Sequence, residues 1–335
     1  MSMRIRGLAP AVCALVTVVA AAAAISPAGA SNDLSFDQQW GLPQIGAPAA
    51  WATTTGAGVR IGIVDTGVDL AHEDLAGKVV AHTSCVGSAG DPAKCTGSGQ
   101  DDQGHGTHVA GIAAAFKDNG VGVAGVAPDA QLVVAKALNA AGAGSEADIV
   151  GAIKWVVDNG ARVVNLSLGD PNFVFTSLLG TAMREGIDYA WAHGAVPVVA
   201  SGNTNLLGLG LGSSNYGDLN AIVVGATGPD DRVASYSSPL GNAKWSILAP
   251  GGAGDGQPGH DILSAFWEKG KANQYKALAG TSMATPHVAG AVALLLAKGY
   301  TPEGAVTRLL ETADPNVACD GSGCRGRMDV ARAAA

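Results

Sequence analysis

Short apolar runs alternate with longer helical patterns along this chain, and this alternation restricts the folds that it can adopt. Runs that stay apolar, without a polar residue at every second position, are typical of strands buried on both faces of a parallel sheet. We interpret six such runs as strands: residues 59–64, 132–138, 162–168, 196–200, 221–224 and 245–249. The sequence therefore predicts an α/β fold in which helices cover both faces of a mostly parallel sheet.

Helical patterns occupy several of the segments between and after these runs. The predicted helices cover residues 107–116, 146–159, 177–193 and 301–312. The last of them opens with T-P-E, and this predicts a helix start because proline is favoured in the first turn of a helix. Glycine-rich stretches predict surface loops at residues 208–212 and 251–259. We find neither repeats nor a linker, so we expect one compact domain over residues 31–335.

The first thirty residues have the pattern of a secretory signal peptide. Two arginines precede an apolar run at residues 8–25, and A-G-A at 28–30 is a small-residue cleavage site. The apolar run is also near the length of a membrane span, but its position and the small residues after it favour cleavage. We therefore predict a signal peptide at residues 1–30, secretion to the extracellular space and a mature chain that begins at Ser31.

The charge of the chain limits the partners that we expect. The net charge is −8, and the signal peptide removes two arginines and no acidic residue, which leaves about −10. Nucleic acid and anionic membrane surfaces repel an acidic protein, so we expect neither as a partner. Apolar runs after the signal are shorter than a membrane span, so we expect a released protein, and we expect it to be a monomer.

Four cysteines remain after the signal peptide, and three pairings among them are possible. An even number of cysteines in an exported protein is typical of disulfides. We predict the sequence-local pairing, Cys85 with Cys95 and Cys319 with Cys324, which closes two surface loops rich in glycine and aspartate. A zinc site is the alternative, although neither pair has the C-x2-C and histidine spacing typical of zinc ligands.

A serine at a predicted helix start is the first candidate for catalysis. Residues 280–290 are G-T-S-M-A-T-P-H-V-A-G, and the small, apolar residues at 283–297 predict a buried helix with Ser282 in its first turn. A helix start presents unpaired N–H groups and a partial positive charge, which stabilise the oxyanion formed when a hydroxyl attacks a carbonyl. An ordinary N-cap is the alternative, and it is the commoner role of serine at this position.

A nucleophilic serine needs a base to accept its proton and a third group to orient that base. Asp65 follows the apolar run at 59–64, and ligand clefts form at the carboxyl ends of strands in open parallel sheets. His105 lies between two glycines just before the predicted helix at 107–116, where a second backbone can come close. His108 lies one turn into that helix, toward the packed side. We therefore assign the base to His105 and a structural role to His108; a turn aspartate and a histidine metal site are the alternatives.

Three motifs together resemble the subtilisin-like serine peptidases, or subtilases. They are V-D-T-G at 64–67, H-G-T-H-V-A-G at 105–111 and G-T-S-M-A-T-P-H-V-A-G at 280–290. Their order, Asp then His then Ser, is the order of this family. The resemblance extends from about residue 33 to about residue 310. It implies a three-layer α/β sandwich with a mostly parallel central sheet of about seven strands.

The resemblance also implies a role for each residue of the motifs. Ser282 is expected to be the nucleophile, His105 the general acid and base, and Asp65 the carboxylate that holds His105 in one tautomer. Asn203, in S-G-N after the run at 196–200, matches the family's side-chain donor to the oxyanion. The oxyanion hole is then formed by the Asn203 amide and the Ser282 backbone N–H.

Protein and peptide substrates follow from the resemblance. An extended peptide can add as a strand against free backbone edges, where glycine permits close approach. The segments that match the family's two edges and its primary pocket are Gly142-Ala143-Gly144, Ser167-Leu168-Gly169 and Ala200-Ser201-Gly202. No acidic cluster lies in the pocket segment, so we expect broad, apolar-leaning specificity. Glu146 stands where the family often has an aromatic residue, and we expect it to admit basic side chains at a more distant subsite.

Calcium is the cofactor that the resemblance implies. Asp74 matches a family ligand, and the Asn119 side chain with the carbonyls of Val121 and Val123 is expected to complete an oxygen cage. Asp33 is a further candidate ligand for the same ion. Ordinary solvated turn residues are the alternative for this set.

The sequence therefore predicts a secreted serine endopeptidase that hydrolyses peptide bonds through an acyl-enzyme. The signal leads almost directly into residues that resemble the mature enzyme, so we expect no folding pro-domain between them. Two other functions stay open: a maturation peptidase dedicated to one partner protein, and a noncatalytic binding protein of the same fold. The motif residues argue against the second, because a protein without catalysis has no need of the whole set.

Overall fold

One parallel sheet organises the fold. The computed structural model describes residues 30–168, 181–203 and 217–335. Within them the strands are β1 (Arg60–Asp65), β2 (Val79–Ser84), β3 (Gln131–Lys136), β4 (Val163–Leu166), β5 (Val196–Ala200), β6 (Ile222–Thr227), β7 (Trp245–Pro250), β8 (Ile262–Glu268), β9 (Lys271–Leu278) and β10 (Cys324–Arg327). Eight of them form the sheet in the order β10-β7-β6-β5-β4-β1-β3-β2, and all neighbours are parallel.

The six inner strands of this sheet are the six runs predicted from the sequence. The predicted fold class is confirmed, with eight strands where about seven were expected. The strands of this sheet that the sequence pattern did not indicate are the two edges, β2 and β10. Most residues of β2 are half-buried or exposed, and β10 contains two arginines. An edge strand lacks a neighbour on one side, so it does not require the continuous apolar run of an inner strand.

Helices follow the strands and cover the sheet. They are α1 (Gly41–Gln44), α2 (Ala47–Ala50), α3 (His105–Ala114), α4 (Glu146–Asp158), α5 (Thr181–Ala192), α6 (Thr281–Ala297), α7 (Pro302–Glu311) and α8 (Val330–Ala334). The predicted position of His105 just before its helix is wrong, because α3 begins at His105. Gly104 directly precedes it with a left-handed φ of 106°, which ends the loop there. The part of the predicted third helix at 177–180 lies outside the described residues.

Alternating side chains of the inner strands build a core on each face of the sheet. On β1, Ile61 and Ile63 pack into a core with α3 and α6, whereas Val64 packs into a second core with α4 and α5. Between them Gly62 lies so close to α4 that an added Cβ would be 2.8 Å from Val156 Cγ2. Both faces are therefore covered, which confirms the predicted three-layer arrangement.

A two-stranded antiparallel hairpin, β8 with β9, packs against α3. Ser264 Oγ of β8 donates to the His108 carbonyl at 2.8 Å. Gly111 of α3 has no room for a side chain, since an added Cβ would lie 2.3 Å from the same Ser264 oxygen. Most of β9 is exposed or half-buried, so its residues form no apolar run from which to predict a strand. The glycine-rich stretch before the hairpin, 251–259, is irregular, as predicted.

Both predicted disulfides are present, Cys85 with Cys95 and Cys319 with Cys324. The zinc alternative is wrong for these cysteines, because a disulfide offers no thiolate to a metal. Among the helices that the structure describes, none combines the length and apolarity that a membrane span requires. The predicted signal peptide up to residue 29 and the predicted loop at 208–212 lie outside the described ranges.

Candidate active site

Asp65 and His105 meet where the carboxyl end of β1 faces the first turn of α3. Parallel strands have all their carboxyl ends at one edge of the sheet, and β1 delivers Asp65 to the edge where α3 begins. The Asp65 side chain is 0% exposed, and its Oδ1 lies 2.8 Å from His105 Nδ1. The backbone N–H of Thr66 donates to the same oxygen at 2.7 Å. Two donors within the protein therefore hold this oxygen of the Asp65 carboxylate.

This contact decides which nitrogen of His105 is available for chemistry. Nδ1 donates the hydrogen bond because a carboxylate only accepts, so Nε2 is left with the lone pair of a general base. Asp65 Oδ2 is buried and accepts no hydrogen bond from the described residues. A carboxylate in this position is able to stabilise an imidazolium at His105. The His105 side chain is 25% exposed, which leaves a path for substrate.

Two glycines allow this corner to close. A Cβ on Gly106 would lie 2.0 Å from the Gly67 carbonyl oxygen, in the loop after β1. A Cβ on Gly104 would lie 2.5 Å from the Phe266 ring of β8. The close backbone approach predicted around His105 is therefore present, against both β1 and the hairpin.

His108 has the packed position that the sequence predicted. Its Nε2 donates to the carbonyls of Ile262 and Lys276, at 3.1 Å and 2.8 Å, on the two strands of the hairpin. Burial lowers the pKa of His108 to about 3, so the ring stays neutral at ordinary pH. Among the described residues no three His, Cys, Asp or Glu side chains are placed to hold one metal ion. A metal shared by His105 and His108 has no further ligand there.

Ser282 is the second residue of α6, and a proline one turn later determines its surroundings. Pro286 has no N–H, so the Ser282 carbonyl lacks its usual partner within the helix. Ser167 Oγ donates to this carbonyl at 2.8 Å, and Asn165 Nδ2 donates to Ser167 Oγ at 2.9 Å. Ser282 Oγ donates to the Ser167 carbonyl at 3.3 Å. The end of β4 therefore holds the first turn of α6, where Ser282 is 6% exposed.

Asn203 follows β5, and contacts of its side-chain oxygen orient it. Oδ1 accepts from the backbone N–H and the hydroxyl of Thr281, both at 3.0 Å, so Nδ2 lies on the other side of the amide. A Cβ on Gly280 would lie 3.4 Å from Asn203 Nδ2 and 3.7 Å from Ser282 N. The two donors therefore border the same small space beside Gly280. An oxyanion hole requires this arrangement of donors.

The segment Gly142-Ala143-Gly144 forms a closed turn beside the end of β3. Asn139 accepts from the Gly142 N–H at its carbonyl, at 2.8 Å, and from the Ala143 N–H at Oδ1, at 3.2 Å. A Cβ on Gly144 would lie 2.4 Å from the Ala137 carbonyl, so the chain returns tightly against β3. Glu146, two residues later, is half-buried at the start of α4.

The other two predicted substrate segments follow β4 and β5. Ser167 contacts Ser282 as described, Leu168 is buried, and Gly169 lies outside the described residues. Ala200 ends β5, Ser201 is buried, and Gly202 has a left-handed φ of 97°. The Gly202 N–H donates to Thr281 Oγ1 at 3.2 Å, which ties the predicted pocket wall to α6.

The residues predicted to bind calcium lie together, but the side-chain oxygens of Asp33, Asp74 and Asn119 already accept hydrogen bonds. Asn119 Nδ2 donates to Asp74 Oδ1 at 2.8 Å, and the Val123 N–H donates to Asp74 Oδ2 at 2.9 Å. Asp33 Oδ1 accepts from the Asn119 N–H at 3.0 Å. Asn119 Oδ1 accepts from the Val121 N–H at 3.1 Å.

This arrangement does not form a calcium cage. Calcium takes oxygen ligands, whereas Asn119 turns its N–H2 group toward Asp74. The hydroxyl of Tyr275 lies 2.8 Å from Asp74 Oδ2 and fills the space beside it. Burial raises the pKa of Asp74, although hydrogen bonds from Asn119, the Val123 N–H and Tyr275 act in the opposite direction. Calcium would bind here only if Asn119 turned its oxygen inward.

Asp101 is a functional candidate that the sequence did not reveal. It is 1% exposed and lies in the loop before α3. Its Oδ1 accepts from Thr66 Oγ1 at 2.9 Å and from the Gln103 and Gly104 N–H groups at 3.0 Å and 2.9 Å. Its Oδ2 accepts from the N–H and the hydroxyl of Thr107 at 3.0 Å and 2.5 Å. One carboxylate therefore caps α3 and joins it to the residue after Asp65.

Comparison with known proteins is consistent with this geometry. The sequence profile described as the subtilase family matches residues 56–325. Thermitase from Thermoactinomyces vulgaris is 35% identical over 305 residues, which are 90% of this chain and 98% of thermitase. Subtilisin DY from Bacillus licheniformis is 40% identical over 265 residues, which are 77% of this chain and 84% of that protein.

A solved structure is similar over almost the same range. It is described as proteases from Pseudoalteromonas arctica PAMC 21717, and it superposes with a TM-score of 0.74 at 29% sequence identity. The match covers 91% of this chain and 98% of that chain. The similarity in fold thus extends well beyond the three sequence motifs.

Proposed function

This chain belongs to the subtilase family and is a serine endopeptidase of the subtilisin kind, and we propose that it acts through an acyl-enzyme formed on Ser282. The substrates are proteins or peptides. Asp65, His105 and Ser282 are the proposed triad, and Asn203 is the proposed side-chain donor to the oxyanion. The observation that carries the proposal is the contact of Asp65 Oδ1 with His105 Nδ1 at 2.8 Å.

Acylation uses the proposed triad and the two proposed oxyanion donors together. Ser282 Oγ attacks the carbonyl carbon of the scissile bond while His105 Nε2 accepts the hydroxyl proton. The carbonyl oxygen becomes an oxyanion beside Gly280, where Asn203 Nδ2 and the Ser282 N–H donate to it. Asp65 stays ionised and stabilises the imidazolium. His105 then gives its proton to the leaving amine, and the peptide bond breaks.

Deacylation repeats these steps with water. His105 Nε2, now neutral again, takes a proton from a water molecule that attacks the acyl carbonyl. The second oxyanion occupies the same space beside Gly280. Its collapse expels Ser282 Oγ, which recovers the proton from His105, and the carboxylic acid product leaves.

The proposed specificity is broad and apolar-leaning. The pocket segment at 200–202 contributes small residues, and glycine at 202 keeps its wall free of a side chain. Glu146 is proposed to favour a basic side chain at a more distant subsite. Cleavage of a peptide library by purified protein tests this; strict cleavage of a single sequence would instead favour the dedicated maturation peptidase.

Secretion is proposed from the signal pattern at residues 1–30. Two disulfides support an oxidising location, since disulfides are rare in reducing compartments. N-terminal sequencing of protein recovered from the culture medium is expected to begin at Ser31 or a near neighbour. Recovery only from the cell interior, with the first thirty residues still attached, would contradict the proposal.

Calcium stays a prediction, and it requires Asn119 to turn its side-chain oxygen toward Asp74. Thermal unfolding in calcium and in a chelator is the measurement. Calcium binding predicts a higher midpoint in calcium for the wild type and a much smaller difference for Asn119→Ala. Equal midpoints in calcium and chelator would show that the hydrogen-bonded arrangement is the functional one.

Casein hydrolysis by purified protein tests the proposed chemistry. The wild type is expected to degrade casein and to lose this activity with phenylmethylsulfonyl fluoride. Ser282→Ala is expected to fold and to be inactive. Casein hydrolysis that survives both treatments would overturn the assignment of Ser282, and an inactive wild type with an intact fold would favour the noncatalytic binding protein.

A further inference from the structure

Lys136 is a buried lysine at the carboxyl end of β3, where it is paired in register with Asp65 of β1. The residue is 8% exposed. Its Nζ lies 2.7 Å from the Thr66 carbonyl, 2.7 Å from the Leu138 carbonyl and 2.6 Å from Asp102 Oδ1. An ammonium group has three N–H donors, so each donor has an acceptor within the protein.

The three acceptors belong to three parts of the proposed active site. Thr66 directly follows Asp65. Asp102 lies in the loop that leads to His105. Leu138 begins the segment 138–144, which contains the proposed substrate edge. The Lys136 side chain therefore joins the residue after Asp65, the loop that leads to His105, and Leu138 at the start of the 138–144 segment.

The position of the substrate edge depends on Leu138. Asn139 closes the turn internally, since its N–H donates to the Ala143 carbonyl at 2.8 Å. Such internal bonds give the turn its shape but do not fix its place on the sheet. The Leu138 N–H donates to the Asp65 carbonyl at 3.1 Å, and the Leu138 carbonyl accepts from Lys136. If this carbonyl moves, the whole turn moves with it.

Pairing of β1 with β3 does not require the Lys136 side chain. Six residue pairs, from Arg60 with Gln131 to Asp65 with Lys136, join the two strands through their backbones. Burial of an ammonium group is costly, and an apolar side chain at a strand end avoids that cost. What the lysine adds is one side chain that contacts all three segments at once.

We propose that Lys136 is a positioning residue for extended substrates. It holds Leu138, at the start of the 138–144 segment, against the carboxyl end of β1 and the loop that leads to His105. The inference rests on the proposed function, because it assigns this segment to peptide binding. Lys136 does not contact the scissile bond, so its contribution must grow with the length of peptide that lies along the edge.

Steady-state kinetics with two p-nitroanilides test the proposal. One substrate is a single acylated amino acid, and the other is a peptide with the same terminal residue and four residues before it. For Lys136→Met we expect kcat/KM on the long substrate to fall by about tenfold to a hundredfold, chiefly through KM. On the short substrate we expect a loss of no more than about threefold. Equal losses on the two substrates, or no loss on either, would overturn the proposal.

Lys78→Met is the matched control, because Lys78 is also buried and also donates to backbone carbonyls, at the opposite end of the sheet. It is expected to change neither kcat/KM nor the ratio between the substrates. A similar length-dependent loss in Lys78→Met would show that general destabilisation is the cause. If wild-type protein cleaves neither substrate, the proposed function fails and the inference falls with it.

Asp102→Ala keeps the test decisive if Lys136→Met does not fold. The Asp102 side chain is 44% exposed, so its removal leaves little buried space and only takes one acceptor from Lys136. The same length dependence is expected with a smaller size, about threefold to tenfold on the long substrate. A loss on the short substrate alone would contradict the positioning role.

Discussion

Two buried lysines at opposite ends of the central sheet have different partners. At the carboxyl end, Lys136 binds a carboxylate and two carbonyls from three segments that meet at the proposed active site. At the amino end, Lys78 precedes β2, donates to the carbonyls of Pro128 and Ala130, and lies 4.1 Å from the centre of the Phe116 ring. No carboxylate within salt-bridge distance of Lys78 is present among the described residues.

The difference extends to the rest of each end. Around Asp65 and His105, the buried Asp101 accepts five hydrogen bonds, and strand ends, loops and α3 are held by charged groups. Burial of Lys78 lowers its pKa to about 8, so its charge is disfavoured in the folded protein. Buried charge at the carboxyl end therefore joins segments that meet at the proposed active site, whereas the same residue type at the amino end lowers stability when protonated. Substitutions at the two ends should separate activity from stability.

Asp65→Asn has the largest expected effect on activity. An amide at this position offers an N–H2 group to His105 Nδ1 and moves the imidazole proton to Nε2, so the base is lost. We expect kcat to fall by about ten-thousandfold with the fold preserved. Circular dichroism and turnover of a peptide substrate check the two parts. Activity within about tenfold of wild type would show that this carboxylate does not set the tautomer.

Asn203→Leu is expected to have the next largest effect. Leucine has similar volume but no donor, so kcat should fall by about a hundredfold to a thousandfold while KM changes little. Thr281→Val is the control, since it removes the hydroxyl contacts to Asn203 Oδ1 and to the Gly202 N–H and leaves the backbone contact to Asn203 Oδ1. The control is expected to lose about tenfold or less. A change in KM alone for Asn203→Leu would place this side chain in substrate binding.

Asp101→Ala should reduce both activity and stability. The substitution leaves three backbone N–H groups and the hydroxyls of Thr66 and Thr107 without their acceptor. We expect the free energy of unfolding to fall by about 3 kcal/mol and kcat to fall by about a hundredfold, because α3 no longer holds His105 in place. Chemical denaturation measures the free energy of unfolding, and kinetics at denaturant concentrations below the unfolding transition measure kcat. Asp101→Asn, which keeps one acceptor oxygen, should lie between; full activity in Asp101→Ala would remove this residue from the site.

Lys78→Met should leave activity unchanged and should alter stability, most clearly its dependence on pH. The pKa of Lys78 is about 8 in the folded protein and near its ordinary 10.5 in the unfolded chain. Between these values the unfolded chain binds more protons, so wild-type stability should rise with pH, by up to about 1.4 kcal/mol per unit. Lys78→Met should remove this rise. A rise of equal size in the variant, measured by denaturation from about pH 7.5 to about pH 10.5, would exclude Lys78 as its cause.

The parts of the fold that the sequence predicted are those buried on both sides. Inner strands such as β4 and β5 need apolar residues throughout, so their positions can be found from the sequence alone. The edge strands and the β8–β9 hairpin face solvent and have mixed sequences, so their pairing follows from tertiary contacts. The sequence predicts His105 before its helix because the left-handed turn at Gly104 cannot be distinguished from a longer loop in the sequence.

In the candidate site too, the sequence predicts only part of what the structure contains. Asp65, His105, Asn203 and Ser282 lie in motifs whose spacing relates them to strand ends and helix starts, and the structure brings Asp65 to His105 and Asn203 to the start of α6. Asp101 and Lys136 are single charged residues, which in a sequence look like solvated surface groups. Lys136 had one usable signal: like Asp65, it stands at the carboxyl end of a buried strand.

Covalent labelling of Ser282 tests most directly the claim that the pair Asp65 and His105 activates the nucleophile. Purified wild type, Ser282→Ala and His105→Ala are treated with phenylmethylsulfonyl fluoride, and the modified peptide is identified by mass spectrometry. We expect one sulfonyl group on Ser282 of the wild type and none on either variant. A label on another residue, or equal labelling of Ser282 in His105→Ala, would contradict the account.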